Sequence, residues 1–205
     1  MKMTIHRALA ELKLLDKRID KQIKGSVPFC VVKKKDEKQV NGMSLEEYNK
    51  KVEGNFNAII DLIKRREQIK AKIMHSNTIT KVNVAGEEMT VAEAIERKNT
   101  IEYKKKLLNR LRADLQTALD EMEDGNIILL DKLESFLEAA LGDNPSSKEI
   151  ETVSEMFKEK NELKLYNPIN IEKKIEKLEE EIEDFLMEVD FVLSESNSKT
   201  TIEID

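Results

Sequence analysis

The sequence predicts a mainly α protein: an antiparallel long-helix bundle or coiled coil built from a tandem duplication, with short β-hairpin or two-stranded β elements. Three observations carry this. Charged residues make up 37% of the 205 residues and aromatics 4%, with 6 Gly, 3 Pro and no Trp. That is the composition of long helices with few breakers. Ile171, Ile175, Leu178, Ile182, Phe185, Val189 and Val192 alternate spacings of 4 and 3, as a coiled-coil seam does. Finally, two segments reappear further along the chain in the same order.

The elements follow in sequence. Thr4-Ile5-His6-Arg7 opens a helix to about Lys24, with Ile5, Leu9, Leu12, Leu15, Ile19 and Ile23 on one face. Gly25 and Pro28 end it. Residues 27–32, β-branched and aromatic, lead through Lys33–Lys38 into Gln39-Val40-Asn41-Gly42 as a short hairpin. Cys30, the single cysteine, is expected to pack there as a small hydrophobe. Ser44-Leu45-Glu46-Glu47 is a capping box for a helix to about His75, with Gly54 a point of disturbance. A polar turn at residues 76–80 enters a strand at 80–84, and Ala85-Gly86 reverses the chain. Thr90 and Glu93 box the next helix, which reaches about Glu123 before Asp124-Gly125-Asn126 breaks it. Two shorter helices, residues 127–141 and 146–164, flank Gly142-Asp143-Asn144-Pro145. After Asn167-Pro168 comes the last long helix, and residues 201–204 form a closing strand.

The repeat has two offsets. Met3-Thr4-Ile5-His6-Arg7-Ala8-Leu9 aligns with Met89-Thr90-Val91-Ala92-Glu93-Ala94-Ile95, 86 residues on. Residues 76–84 align with 196–204, 120 residues on, and the apolar positions Leu62, Ile69 and Ile73 align with Ile182, Val189 and Leu193. The units are therefore residues 1–88 and 89–205, with the extra short helices (about 126–164) inserted in the second, folded together as one domain. Two antiparallel helix pairs would pack about a pseudo-two-fold, the strands 80–84 and 201–204 at equivalent places and pairing near one end.

Charge follows the repeat. The net charge of −6 divides into +10 for residues 1–110, with 25 Lys and Arg against 15 Asp and Glu, and −16 for the remainder, with 10 against 26. Lys64, Arg65, Arg66, Lys70 and Lys72 on one helix correspond to Glu179, Glu180, Glu181, Glu183 and Asp184 on its counterpart. Mutual attraction of the copies, within the bundle or in a homo-oligomer, is the expectation. The opening residues lack a signal-peptide pattern and no run of 18 apolar residues occurs, so a cytoplasmic protein with no membrane partner is expected.

The stretch Leu62-Ile63-Lys64-Arg65-Arg66, Ser76-Asn77-Thr78, Gly86 and Met89 through Arg97, with Ala8-Leu9 in the opening helix, resembles the septicolysin-like family. These are small helical proteins of Gram-positive bacteria, and the chain is most similar to versions carried by their phages and prophages. The resemblance covers about residues 1–115, and the C-terminal part departs from the cellular members. It implies a phage protein acting in the cytoplasm of a bacterial host. It carries over no catalytic residue, and the cytolysin in the family's name finds no export signal or strongly apolar amphipathic segment here.

The candidate site is the pair of Ser-Asn-x-x-Thr turns. Ser76, Asn77, Thr80 and Lys81 match Ser196, Asn197, Thr200 and Thr201. Such residues stop helices by bonding local backbone, which is the plain structural reading. The functional reading makes the turns two walls of one polar pocket. Thr4 and Thr90 would bring helix N-termini there, and Arg7, Arg97, Lys81 and Lys199 would supply charge for an anion. A nucleotide-like ligand fits that chemistry. His6 and His75 are too few for a metal site, no cofactor is implied, and no phosphate-loop, nucleophile-elbow or Cys-x-x-Cys motif is present. The lysine runs at 33–35, 64–72 and 104–106 read as solvated faces rather than a nucleic-acid surface. Two functions follow: a non-enzymatic phage counter-defence protein sequestering a nucleotide-like immune signal, or a virion-assembly or host-protein-binding helical module.

Overall fold

The computed structural model describes residues 1–142 and 145–204. In order these are β1 (Lys2–Thr4), α1 (Ile5–Gly25), β2 (Gln39–Val40), β3 (Met43–Ser44), α2 (Leu45–Ile79), β4 (Lys81–Val84), β5 (Glu87–Thr90), α3 (Val91–Leu141), α4 (Ser147–Asn161), α5 (Ile171–Lys199) and β6 (Thr201–Glu203). The protein is mainly α with three two-stranded antiparallel sheets, β1-β6, β2-β3 and β4-β5. It divides into two compact units, Met1–Asn99 with Phe185–Asp205, and Thr100–Asp184.

In the first unit, α1 shows why its sequence is helical. Ile5, Ala8, Leu12 and Leu15 recur every three or four residues and are buried, and the Thr4 hydroxyl accepts from the Arg7 N–H at the N-cap. α2 starts from a complete capping box between Ser44 and Glu47. Met3, Ile5, Ala8, Leu12 and Leu15 pack with Ile69, Ile73, Ile202 and Ile204 into one core. Arg65 and Arg66 of α2 pair with Glu11 and Asp16 of α1, at 3.3 and 2.5 Å. Two basic residues of α2 are thus held against its antiparallel partner, while Lys64, Lys70 and Lys72 are exposed.

Two β junctions organise this unit, and they correspond residue by residue. Lys81 sits opposite Thr90 and Val82 opposite Met89 in β4-β5. Thr201 sits opposite Thr4 and Ile202 opposite Met3 in β1-β6, the same register at the offsets of 86 and 120. The Val91 N–H donates to the Thr80 carbonyl and the Ile5 N–H to the Thr200 carbonyl, both at 2.9 Å. The strands 80–84 and 201–204 therefore do not pair with each other. β4 pairs with β5, which leads into α3, because the Ala85-Gly86 turn, with φ of 53° and 78°, folds β5 directly back on it. β6 pairs with β1, which leads into α1.

Several sequence expectations need correction here. Residues 27–32 are not a strand; the hairpin is β2-β3, turning at Asn41-Gly42 with both φ values positive. Cys30 is exposed rather than packed. The loop instead anchors through Tyr48, whose hydroxyl donates to the Pro28 carbonyl, and through Phe29 edge-on to Phe56. Gly54 does not disturb α2. Residues 76–79 are helical, not a turn: the Thr80 N–H reaches back to the Ser76 carbonyl at 2.9 Å, and the Thr78 hydroxyl bonds the His75 carbonyl at 2.7 Å. The polar side chains turn back onto the helix they were expected to end. Residues 196–199 repeat this, with Thr200 bonding Ser196 and Ser198 bonding Glu195.

The second unit is built on α3, where Ile101, Leu108, Leu115, Met122, Leu129 and Phe136 recur every seven residues. Lys104 pairs with Glu181 at 2.8 Å and Arg112 with Glu179, fixing this part of α3 antiparallel to α5. Asp124-Gly125-Asn126 does not break the helix, and no separate helix begins at 127. A mid-helix Gly costs about 1 kcal/mol relative to Ala, which so long a helix absorbs. A Cβ on Gly125 would meet only the tip of the half-exposed Leu163 side chain, which can swing aside. Asn126 meets the Leu163 backbone with two hydrogen bonds, 3.0 Å to its carbonyl and 2.9 Å from its N–H. Asn126 is a docking point for the segment after α4. Asp143 and Asn144 of the expected break lie outside the described residues.

Candidate functional site

The structure gathers the predicted polar residues into the two junctions of the first unit. Thr80 caps the C-terminus of α2 beside the buried Ser76, their hydroxyl oxygens 3.5 Å apart. Thr90 stands opposite Lys81 and caps α3. Thr200, Ser196 and Thr4 occupy the equivalent places at the other junction. Asn77 and Asn197 are half-buried in the last turns of α2 and α5.

Their polar capacity is spent largely within the chain. At α3, Glu93 accepts from the Thr90 N–H at 2.6 Å and from its hydroxyl at 2.8 Å. Those bonds, the backbone one first, hold the Glu93 carboxyl below its ordinary pKa. A carboxylate therefore already occupies that helix N-terminus, where an anion was expected. Lys81 is bonded to Glu88 at 2.6 Å, which raises its pKa. Lys199 is bonded to Glu195 at 2.5 Å. Arg97 pairs with Glu87 and lies 4.7 Å over the ring of Phe185. Arg7 is exposed at the first turn of α1, in the place where Glu93 stands in α3. The described cavities are lined by other residues. Among the described residues no cluster of three or more His, Cys, Asp or Glu is arranged to hold a metal ion, and no helix is long and apolar enough to cross a membrane.

A second feature lies in the other unit. Beside α3 in the second unit lies a groove of about 670 Å³, with Leu119, Met122, Ile127, Leu129 and Leu130 along it and Asp120, Glu123, Lys158 and Glu162 at its edges. Ile127, Ile128 and Leu130 are each more than half exposed, and α4 buries no residue. Among the described residues, the second unit's buried apolar side chains are Ile101, Leu108, Leu133 and Ile182, while the first unit holds the rest. The legible signal was Ile127-Ile128-Leu129-Leu130, which puts apolar residues on several faces of a helix that its own chain does not cover.

No known protein family, curated protein or solved structure matches the chain.

Proposed function

We propose that this protein is a non-enzymatic helical binding module that works by protein–protein contact, in the manner of a host-protein-binding or assembly component of a phage. The observation that carries this is the uneven burial. Among the described residues the second unit buries only Ile101, Leu108, Leu133 and Ile182, and its exposed Ile127 and Leu130 line one groove, while both units expose scattered apolar side chains. Soluble proteins rarely leave such patches without a use. The septicolysin-like resemblance supports a phage setting in a bacterial cytoplasm, and the matched junctions support descent of the halves from one duplicated unit.

A second reading is the sequestration of a nucleotide-like anion. It is favoured at one junction, where Thr4, the exposed Arg7, Ser196, Asn197 and Thr200 meet the N-terminus of α1 without the carboxylate that fills the α3 site. Titration calorimetry of the full chain with mono-, di- and cyclic nucleotides decides between them. The contact reading expects no saturable heat. Saturable heat lost in Arg7→Ala and Asn197→Ala variants of unchanged helicity would replace it with the anion reading.

A further inference from the structure

We propose that the groove along α3 receives a basic amphipathic helix of another protein, an inference that rests on the contact reading above and names its site and its partner's chemistry. The floor is apolar and open: Leu119, Ile127 and Leu130 face into the groove, the latter two 55% exposed. Ile127 and Leu130 lie one turn apart, and a docked amphipathic helix would set its own i, i+3, i+4, i+7 anchors against such a floor. A groove of about 670 Å³ is of the size that takes several large side chains.

The charge around that floor chooses the occupant. Residues 120–141 carry seven Asp and Glu against one basic residue, Lys132. Among the described residues no ion pair engages any of the seven, whereas the acidic Glu179 and Glu181 of α5 are paired to α3. Of the carboxylates at the groove, Glu162 is paired with Lys164 at 3.3 Å, while Asp120 and Glu123 have no ion pair among the described residues and outnumber the one cation of the lining, Lys158. A helix with Lys or Arg beside its apolar stripe would neutralise them, speeding encounter and fixing orientation. A second copy docked on the same face about a two-fold axis would set seven carboxylates against seven. A nucleic acid or an anionic bilayer would meet the same repulsion.

The test uses the full chain and a fluorescein-labelled 18-residue peptide with Leu at i, i+3, i+4 and i+7 and Lys elsewhere. Two control peptides replace every Lys with Glu, or keep Leu and Lys but scramble the spacing. Fluorescence anisotropy should show saturable one-to-one binding of the first peptide only, weakened as salt is raised to about 0.5 M. Ile127→Ser with Leu130→Ser, both at exposed positions, should raise Kd at least about tenfold, with circular dichroism unchanged. Met187→Ser with Phe191→Ser, exposed positions in the first unit, should leave Kd unaltered. Equal binding of the Glu peptide, no binding, or a Kd indifferent to the groove variant would overturn the proposal. Sedimentation equilibrium supplies the other arm. A dimer that Leu130→Asp dissociates would make a second copy the occupant, overturning the basic-helix proposal while leaving the contact reading in place.

Discussion

Phe185 offers the sharpest stability prediction. It is fully buried in the first unit, and the Arg97 guanidinium lies 4.7 Å from its ring centroid. Phe185→Ala removes six enclosed ring carbons. At about 0.8 kcal/mol for each buried methylene-sized group, the transfer loss is roughly 5 kcal/mol. Measured Phe→Ala substitutions in cores cost about 3–5 kcal/mol. For a chain of this size each kcal/mol lowers Tm by about 2–4 °C, so the expected fall is about 6–20 °C. Phe185→Leu keeps most of the volume and should cost about 1–2 kcal/mol, part of it the lost cation–π contact. Urea unfolding of Phe185→Leu, Arg97→Met and the double variant should give a coupling of about 0.5–1 kcal/mol. A Phe185→Ala variant within about 1 kcal/mol of the parent would refute the placement of this ring in the core.

Other perturbations reach the rest of the chain. Asn126→Ala removes both hydrogen bonds to the Leu163 backbone and should cost about 1 kcal/mol. Limited trypsinolysis should then cut faster after Lys164; an unchanged rate would deny the tether. The carboxyls of Glu47, Glu93 and Glu149 lie below their ordinary pKa because Ser44, Thr90 and Ser146 bond to them. A depressed carboxyl stabilises the fold above its unfolded pKa and loses that contribution as pH falls through the folded value. Helicity followed by circular dichroism should therefore fray from the N-termini of α2, α3 and α4 as acid is added below about pH 4, and Ser44→Ala should reduce the fraying assigned to α2. Cys30, being exposed, should react with a small disulfide reagent in the native protein as fast as in denatured chain; protection would mean that the loop is packed after all.

The helices were legible wherever a cap and an apolar period agreed. Thr4, Ser44 and Thr90 mark true helix starts, and the seam from Ile171 to Val192 is buried or half-buried along its length. The registers of β4-β5 and β1-β6 match at offsets of 86 and 120, but the strands 80–84 and 201–204, which the sequence suggests pair with each other, pair instead with β5 and β1. The misses share one cause. Ser76-Asn77 and Asp124-Gly125-Asn126 look like breakers by propensity, yet a helix long enough to be held elsewhere absorbs a few unfavourable residues. Local composition does not record that Asn126 bonds the Leu163 backbone. The lysines and arginines of the anticipated anion site were equally readable by type. What could not be read was that Glu87, Glu88 and Glu195 already engage Arg97, Lys81 and Lys199.

The first unit holds the core, while α3 and α4 of the second present an unfilled apolar surface. Hydrogen exchange of the free full-length chain, read by mass spectrometry, tests this most directly. Amides of residues 69–73 and 185–189 should exchange at least about a hundredfold more slowly than those of Ser147–Asn161, where no side chain is buried. Protection of α4 equal to that of the core segments would contradict the claim.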